Sequence, residues 1–254
     1  MAVTPYKEST SKTEQVTRMF DNIAPSYDKL NHLLSAGIDV YWRRRAITAL
    51  KPYKPKHILD IATGTGDFAF AALRLRPERI LGLDISNNMI AIAREKKEKK
   101  QPNVKVEFDI ANSENLPLED NSFDAVTVGF GVRNFADIEQ GMSEIYRVMR
   151  PGSVCAVLEP ATPEVFPFKQ MFNFYFTKVL PFIGKLVSKD KRAYTYLPES
   201  VEAFPHGQPF LDICSKVGFS KVKRVNLTLG ICAMYLAEKG KPNFSQVDSI
   251  SGPG

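Results

Sequence analysis

Apolar residues recur at helical spacing through the first part of the chain, from Val16 to Leu34. The pattern predicts a helix that is interrupted at the Ala24-Pro25 step, because proline lacks the N–H that a helix interior needs. A second helix is predicted from Trp42 to Leu50. Residues 1–50 are therefore expected to form a helical segment that precedes the main domain and lies over it as a lid.

Short apolar runs then alternate with helical patterns. The runs that predict strands are His57–Ile61, Arg79–Ile85, Val104–Phe108, Phe123–Val128 and Val154–Leu158. The helices between them are predicted at Asp67–Leu75, from the cap Ser86 to Lys100, and from about Asp137 to Met149. This alternation is typical of βαβ units and of a parallel sheet covered by helices on both faces.

The alternation stops after residue 161 and resumes near residue 207. Residues 162–206 are rich in aromatic residues interleaved with lysine and give no strand signal, so they are expected to form a helical insertion. A helix (Phe210–Val217) and two late strands (Lys221–Val225, Ile231–Ala237) follow. The α/β core is thus expected over 51–161 and 207–239, and 240–254 form a polar tail that is expected to be flexible.

Composition narrows the classes of function. The chain has 254 residues and three cysteines, which show no CxxC spacing, so neither a disulfide framework nor a cysteine metal site is expected. The three histidines lie far apart, and no catalytic metal is predicted. The chain begins without a signal-peptide pattern, and a cytoplasmic location is expected. The net charge of +6 permits contact with anionic lipid or nucleic acid, but much of it lies in 94–100, a run typical of a solvated helix end.

A glycine turn follows the first predicted strand. Gly64 and Gly66 fit the GxGxxA pattern of dinucleotide-binding turns, and Asp84 ends the second strand, where an acid binds ribose hydroxyls. Asp60 and Asp67 flank this turn, and two carboxylates would repel a pyrophosphate. They suit S-adenosylmethionine, which carries an ammonium and a sulfonium and no phosphate. The sequence therefore favours this methyl donor over a nicotinamide dinucleotide.

A polar segment follows the third strand, where an adenine would lie. The carbonyl of Asn112 is placed to accept a hydrogen bond from the exocyclic amine, and Ser113 follows it. The alternative for Asn112 is a local Asx turn. Tyr27, in the helical lid, and Gly129, at the end of the fourth strand, complete the predicted donor site.

Four blocks of sequence resemble those of the ubiquinone/menaquinone biosynthesis C-methyltransferases. They are Tyr27–Ser35 with Trp42, Leu59–Asp67, the central block Leu116–Asn134, and Arg147–Glu159. With shorter matches the resemblance spans about residues 16–239. It implies a class I SAM-dependent methyltransferase, Rossmann-like, with a seven-stranded sheet containing one antiparallel strand. It also implies donor contacts from Thr63, Asp84, Asn112 and Ser113.

The departures from the family pattern remove no charged group that donor binding needs. Asp39 replaces a usual histidine and Gly129 a usual serine, so any role for the Asp39 side chain is in doubt.

The resemblance implies methylation of a ring carbon of a prenylated quinol. Demethylmenaquinol is the expected acceptor; the alternatives are the corresponding ubiquinone step or both steps. Arg133 is the candidate for stabilising the phenolate of the acceptor, and Asn134 for orienting its oxygen. The alternative for Arg133 is an ion pair with Asp137. Intact Arg133 and Asn134 argue against a donor-binding module without catalytic activity.

The expected partners follow from the hydrophobic tail of the prenylated quinol. The aromatic insertion is expected to line a tunnel for the isoprenoid tail or to touch the inner face of the membrane, since burying such a tail is strongly favourable. The competing interpretation is protein core or a homodimer interface. No nucleic acid partner is expected.

Overall fold

The computed structural model describes residues 3–6, 8–35, 37–100, 104–163, 166–174 and 191–241. Its helices are α1 (Lys12–Leu34), α2 (Ile38–Leu50), α3 (Asp67–Ala72), α4 (Asn87–Lys100), α5 (Ile138–Val148), α6 (Phe168–Phe174), α7 (Lys191–Ala203) and α8 (Gln208–Val217). Its strands are β1 (His57–Ile61), β2 (Arg79–Asp84), β3 (Val106–Ile110), β4 (Phe123–Gly129), β5 (Met149–Pro160), β6 (Lys221–Leu227) and β7 (Cys232–Glu238).

The seven strands form one sheet in the order β3-β2-β1-β4-β5-β7-β6. Strands β1 to β5 are parallel, and β7 is antiparallel to both of its neighbours. The resemblance implied seven strands with one of them antiparallel, and the structure confirms both. The order reverses between β1 and β4, so a crevice is expected outside the carboxyl ends of these two strands.

Helices cover both faces of the sheet, as the alternation predicted. Successive strand residues enter opposite cores because side chains alternate across a strand. Leu59 packs with α5 and α8 residues such as Ile145 and Phe210, whereas Ile58 packs with α2 and α3 residues such as Ile47 and Phe68. The two apolar layers fix the positions of the strand ends that carry the polar residues.

The predicted break at Ala24-Pro25 is wrong, because α1 continues through Pro25 as one helix. Proline deprives the carbonyl four residues earlier, that of Asp21, of its helical partner. The side-chain amide of Asn88 donates to this carbonyl at 3.1 Å, and the Asp21 carboxylate accepts hydrogen bonds from Ser86 Oγ and from the backbone N–H of Asn88. Tertiary contacts with the start of α4 thus replace the missing hydrogen bond.

Only parts of the aromatic insertion lie within the described residues, as α6 and α7. The expected tunnel residues Tyr175, Phe176 and Phe182 and the expected flexible tail beyond Lys241 lie outside them. None of the helices in the described ranges combines the length and the hydropathy needed to cross a membrane.

Candidate active site

A cavity of ≈ 710 Å³, including its open mouth, lies at the carboxyl ends of β1, β2 and β4 beneath α1. Its wall includes seven of the predicted site residues: Tyr27, Gly64, Asp84, Asn112, Ser113, Gly129 and Asn134. Four others, Asp60, Thr63, Gly66 and Arg133, are not part of this wall. The crevice is therefore where the strand order places it.

Asp84 is held in place by the glycine turn that it faces. One carboxylate oxygen accepts the backbone N–H of Gly64 at 2.8 Å and the other that of Ser86 at 2.9 Å. Gly64 has a φ of +55°, and a side chain there would point into open space. The side chain of Asp84 is 8% exposed, and burial raises its pKa. These two contacts fix the carboxylate of Asp84 on the cavity wall.

Asp60 contacts the start of the glycine turn through Thr63 and is not on the cavity wall. Its two oxygens accept hydrogen bonds from the hydroxyls of Thr63, at 2.6 Å, and Thr127, at 2.5 Å. Its side chain is fully buried, and this burial raises its pKa to about 6. Asp60 and Thr63 thus connect the ends of β1 and β4 rather than lining the cavity.

Asp67 does not carry the uncompensated charge that the sequence predicts. Asp67 pairs with Lys96 of α4 at 2.9 Å and with Arg43 of α2 at 3.5 Å, so its charge is compensated on the protein side. The acidic side chains that do line the cavity are Asp84 and Glu114, and no described lysine or arginine lines it. The wall still disfavours a pyrophosphate, but through these two carboxylates rather than through Asp60 and Asp67.

Helix α1 forms the roof of the cavity. Thr13, Val16, Phe20 and Tyr27 lie on its wall, and burial raises the pKa of the Tyr27 hydroxyl to about 12. Asp28, one residue further, accepts a hydrogen bond from Thr65 at 2.5 Å and pairs with Lys96 at 2.6 Å. The roof is therefore tied to the glycine turn and to α4 by one carboxylate.

The polar segment after β3, where an adenine is expected, contains the Asx turn that is the alternative role for Asn112. Its side-chain carbonyl accepts the backbone N–H of Glu114 at 3.0 Å, while Asn112 and Ser113 remain on the cavity wall beside apolar residues such as Ile85 and Leu116. Glu114 in turn accepts the backbone N–H of Ala136 at 2.7 Å. Sequence reasoning missed Glu114, because its sequence position gives no sign of this tertiary contact.

Arg133 and Asn134 lie in the 3-10 turn Val132–Asn134 after β4. The Arg133 guanidinium pairs with Glu159, at the end of β5, at 3.0 Å, and the other oxygen of Glu159 accepts the Arg133 backbone N–H at 3.2 Å. The pair is buried, with side-chain exposures of 10% and 1%. The alternative pair with Asp137 is wrong, because that carboxylate caps α5 by accepting the backbone N–H of Gln140.

The wall fits S-adenosylmethionine by its chemistry. A carboxylate at the end of β2 suits ribose hydroxyls, an amide and apolar side chains suit an adenine, and the absence of described cations on the wall suits a cationic tail. Asp84 and Gly64 are the residues that would hold the nucleoside, and Tyr27 would cover it from α1.

Comparison with known proteins gives the class. The chain is 50% identical over 238 residues to the demethylmenaquinone methyltransferase of Bacteroides fragilis, covering 93% of this chain and 97% of that one. It is 43% identical over 232 residues to the ubiquinone/menaquinone biosynthesis C-methyltransferase of Geotalea daltonii, covering 91% and 98%. A solved SAM-dependent methyltransferase from Thermotoga maritima shares the fold, with a TM-score of 0.61, 20% identity and coverage of 88% and 99%.

A family model for the ubiE/COQ5 methyltransferases matches residues 8–239. This match and the relatives confirm the predicted SAM-dependent C-methyltransferase, and they give the nicotinamide alternative no support. The chain belongs to the ubiE/COQ5 methyltransferase family.

Proposed function

We propose that this chain methylates a ring carbon of demethylmenaquinol, with S-adenosylmethionine as the donor, and so forms menaquinol. The observation that carries the proposal is the 50% identity, over nearly the whole of both chains, to a relative named for this reaction. The cavity supports it, because its wall combines a fixed carboxylate with an apolar lining and includes Asn134.

The reaction needs an electron-rich ring carbon close to the methyl group. When bound, S-adenosylmethionine supplies a methyl group on a sulfonium, and the sulfur keeps the electron pair of the bond that breaks. The acceptor ring provides the electron pair of the new carbon–carbon bond, and the proton on that carbon leaves to water so that the ring regains aromaticity. Holding the two reactants in contact supplies much of the acceleration.

Arg133 and Asn134 are proposed to act on the acceptor oxygen. A phenolic hydroxyl ionises near pH 10 in water, and its anion makes the adjacent ring carbon more nucleophilic. The positive charge of the Arg133 guanidinium favours this anion. Glu159 fixes the guanidinium from behind, so the arginine is a fixed electrostatic group rather than a base.

The test compares two acceptors with purified protein. Demethylated naphthoquinol and the demethylated benzoquinol precursor of ubiquinone are offered with S-adenosylmethionine, and the position of the new methyl is determined by mass spectrometry and NMR. We expect methylation of the naphthoquinol. Preference for the benzoquinol would instead support the ubiquinone step, which the name of the Geotalea daltonii relative includes beside the menaquinone step. Calorimetry with S-adenosylhomocysteine against NADH tests the donor independently.

We further propose that the protein works in the cytoplasm, peripherally bound to the inner face of the membrane. Two exposed apolar side chains lie at the cavity end of the sheet: Ile110, the last residue of β3, and Leu229, in the turn after β6. Ile38, Tyr41 and Phe166 are further large apolar residues that are exposed. Leu229 is 63% exposed in the turn between β6 and β7, opposite the carboxyl end of β5. An acceptor with a polyprenyl tail enters most readily from lipid at this edge.

Vesicle sedimentation tests this location. We expect the protein to sediment with vesicles of phosphatidylethanolamine and phosphatidylglycerol, and Leu229→Asp to weaken binding. Ser220→Asp adds the same charge at the start of β6, at the other end of the sheet, and is the matched control. Equal binding by both variants would contradict the proposed edge. The homodimer alternative for the aromatic insertion stays a prediction, which sedimentation velocity without vesicles tests.

A further inference from the structure

Tyr196 is a buried tyrosine whose hydroxyl makes no hydrogen bond within the described part of the chain. Its side chain lies on α7 and is 2% exposed, packed with Val16 and Met19 of α1 and with Met89 of α4. Val16 and Met89 also line the donor cavity. The ring therefore lies next to the donor cavity, on the side of the roof helix.

Two further unpartnered polar atoms lie in the turn on which α7 packs. They are Nε of Arg133 and Oδ1 of Asn134, both buried and without a hydrogen bond among the described residues. Arg133 and Glu159 are close enough to influence the phenol, since the charge of Arg133 lowers its pKa and that of Glu159 raises it. Burial dominates and raises this pKa to about 12, so the hydroxyl keeps its proton at neutral pH.

Unpartnered buried polar atoms are uncommon in folded proteins, because each has lost its hydration without gaining a partner. A comparison within this chain shows the usual arrangement. Tyr235 is equally buried, at 1% exposure, and its hydroxyl accepts the backbone N–H of Gly207 at 3.0 Å. Three buried atoms, Nε of Arg133, Oδ1 of Asn134 and the Tyr196 hydroxyl, lack a partner among the described residues, and together they indicate a polar atom supplied from outside the chain.

We propose that the Tyr196 hydroxyl, together with Nε of Arg133 and Oδ1 of Asn134, binds the ring oxygen of the methyl acceptor. The inference rests on the proposed function and adds a residue to which no role has been given. The three groups match a quinol oxygen, because a guanidinium N–H donates, an amide carbonyl accepts, and a hydroxyl does both. When the oxygen ionises, Tyr196 and Arg133 both donate to it, and such charge-assisted hydrogen bonds are the stronger ones.

The test is Tyr196→Phe, which removes one oxygen and keeps the ring that fills the core. We expect the KM for the demethylated naphthoquinol to rise and kcat/KM to fall by about tenfold or more, since one hydrogen bond to an ionised group has at least that effect on an equilibrium. The Kd for S-adenosylhomocysteine and the KM for the donor stay unchanged. The thermal midpoint stays equal or rises, because the variant removes an unpartnered buried hydroxyl.

Tyr235→Phe is the matched control. It leaves the Gly207 N–H without its partner, so we expect a lower thermal midpoint with kcat/KM close to that of the unsubstituted protein. The inference is overturned if Tyr196→Phe keeps kcat/KM within about twofold, or if its loss of activity follows a lower midpoint as in the control. Failure of the proposed function is distinguishable, because then the unsubstituted protein itself does not methylate the naphthoquinol.

Discussion

The buried pair between Arg133 and Glu159 should dominate the stability of the acceptor end of the site. Glu159→Gln keeps the volume of the side chain but leaves the guanidinium buried without a counter-charge, since only 10% of the Arg133 side chain is exposed. Removing one partner of such a pair costs about 3–5 kcal/mol. In a domain of this size the loss corresponds to a fall in the thermal midpoint of about 10 °C.

The pair between Arg79 and Glu107 provides the comparison. Its N–O distance is 2.6 Å, but its side chains are 50% and 58% exposed. Glu107→Gln should therefore cost no more than about 1 kcal/mol, because solvent already screens the pair. Thermal and urea unfolding followed by circular dichroism measure both variants. Equal losses would refute the reasoning, since burial would then have no bearing on the strength of the pair at Glu159.

Three further predictions concern the donor site. Asp84→Asn should weaken binding of S-adenosylhomocysteine by about tenfold or more, because both carboxylate oxygens accept backbone N–H groups and an amide nitrogen cannot; calorimetry measures it. Gly66→Ala should destabilise the fold more than Gly64→Ala in urea unfolding. Both have positive φ, but only the first places a Cβ 2.8 Å from Phe108. Burial raises the pKa of Asp60 from 3.8 to about 6, so its charge costs stability as the pH rises through that interval. The free energy of unfolding of Asp60→Asn minus that of the unsubstituted protein, measured in urea, should therefore rise by about 3 kcal/mol between pH 4 and pH 7. A constant difference would contradict this.

The sheet could be predicted from the sequence because its signals are local. A run such as His57–Ile61 is apolar over several residues and ends in a polar turn, which determines both the strand and its carboxyl end. Strand ends of a parallel sheet then place Gly64, Asp84 and Asn112 around one crevice. Residues that strand order alone brings together can therefore be predicted from the sequence.

The continuous helix at Pro25 could not be predicted from the sequence, because a tertiary contact stabilises it. Proline removes a local hydrogen bond, and local chemistry predicts a break. The compensating donor is Asn88, which is 63 residues away from Pro25 and shows no pattern that would link it to the helix. Such a rescue depends on the docking of α1 against the start of α4, a tertiary contact.

In the site, too, the charged residues could be predicted from the sequence, but the residues that pair with them could not. For Asp67 the sequence predicts repulsion of a phosphate. For Arg133, besides stabilisation of the acceptor phenolate, it leaves a pair with the nearby Asp137 as the alternative. Their partners, Lys96 and Glu159, come from α4 and from the end of β5. The sign of a charge is a property of the residue, whereas its effect depends on what neutralises it. The donor was nevertheless predicted correctly, because the acids that remain on the wall, Asp84 among them, have the sign that the argument required.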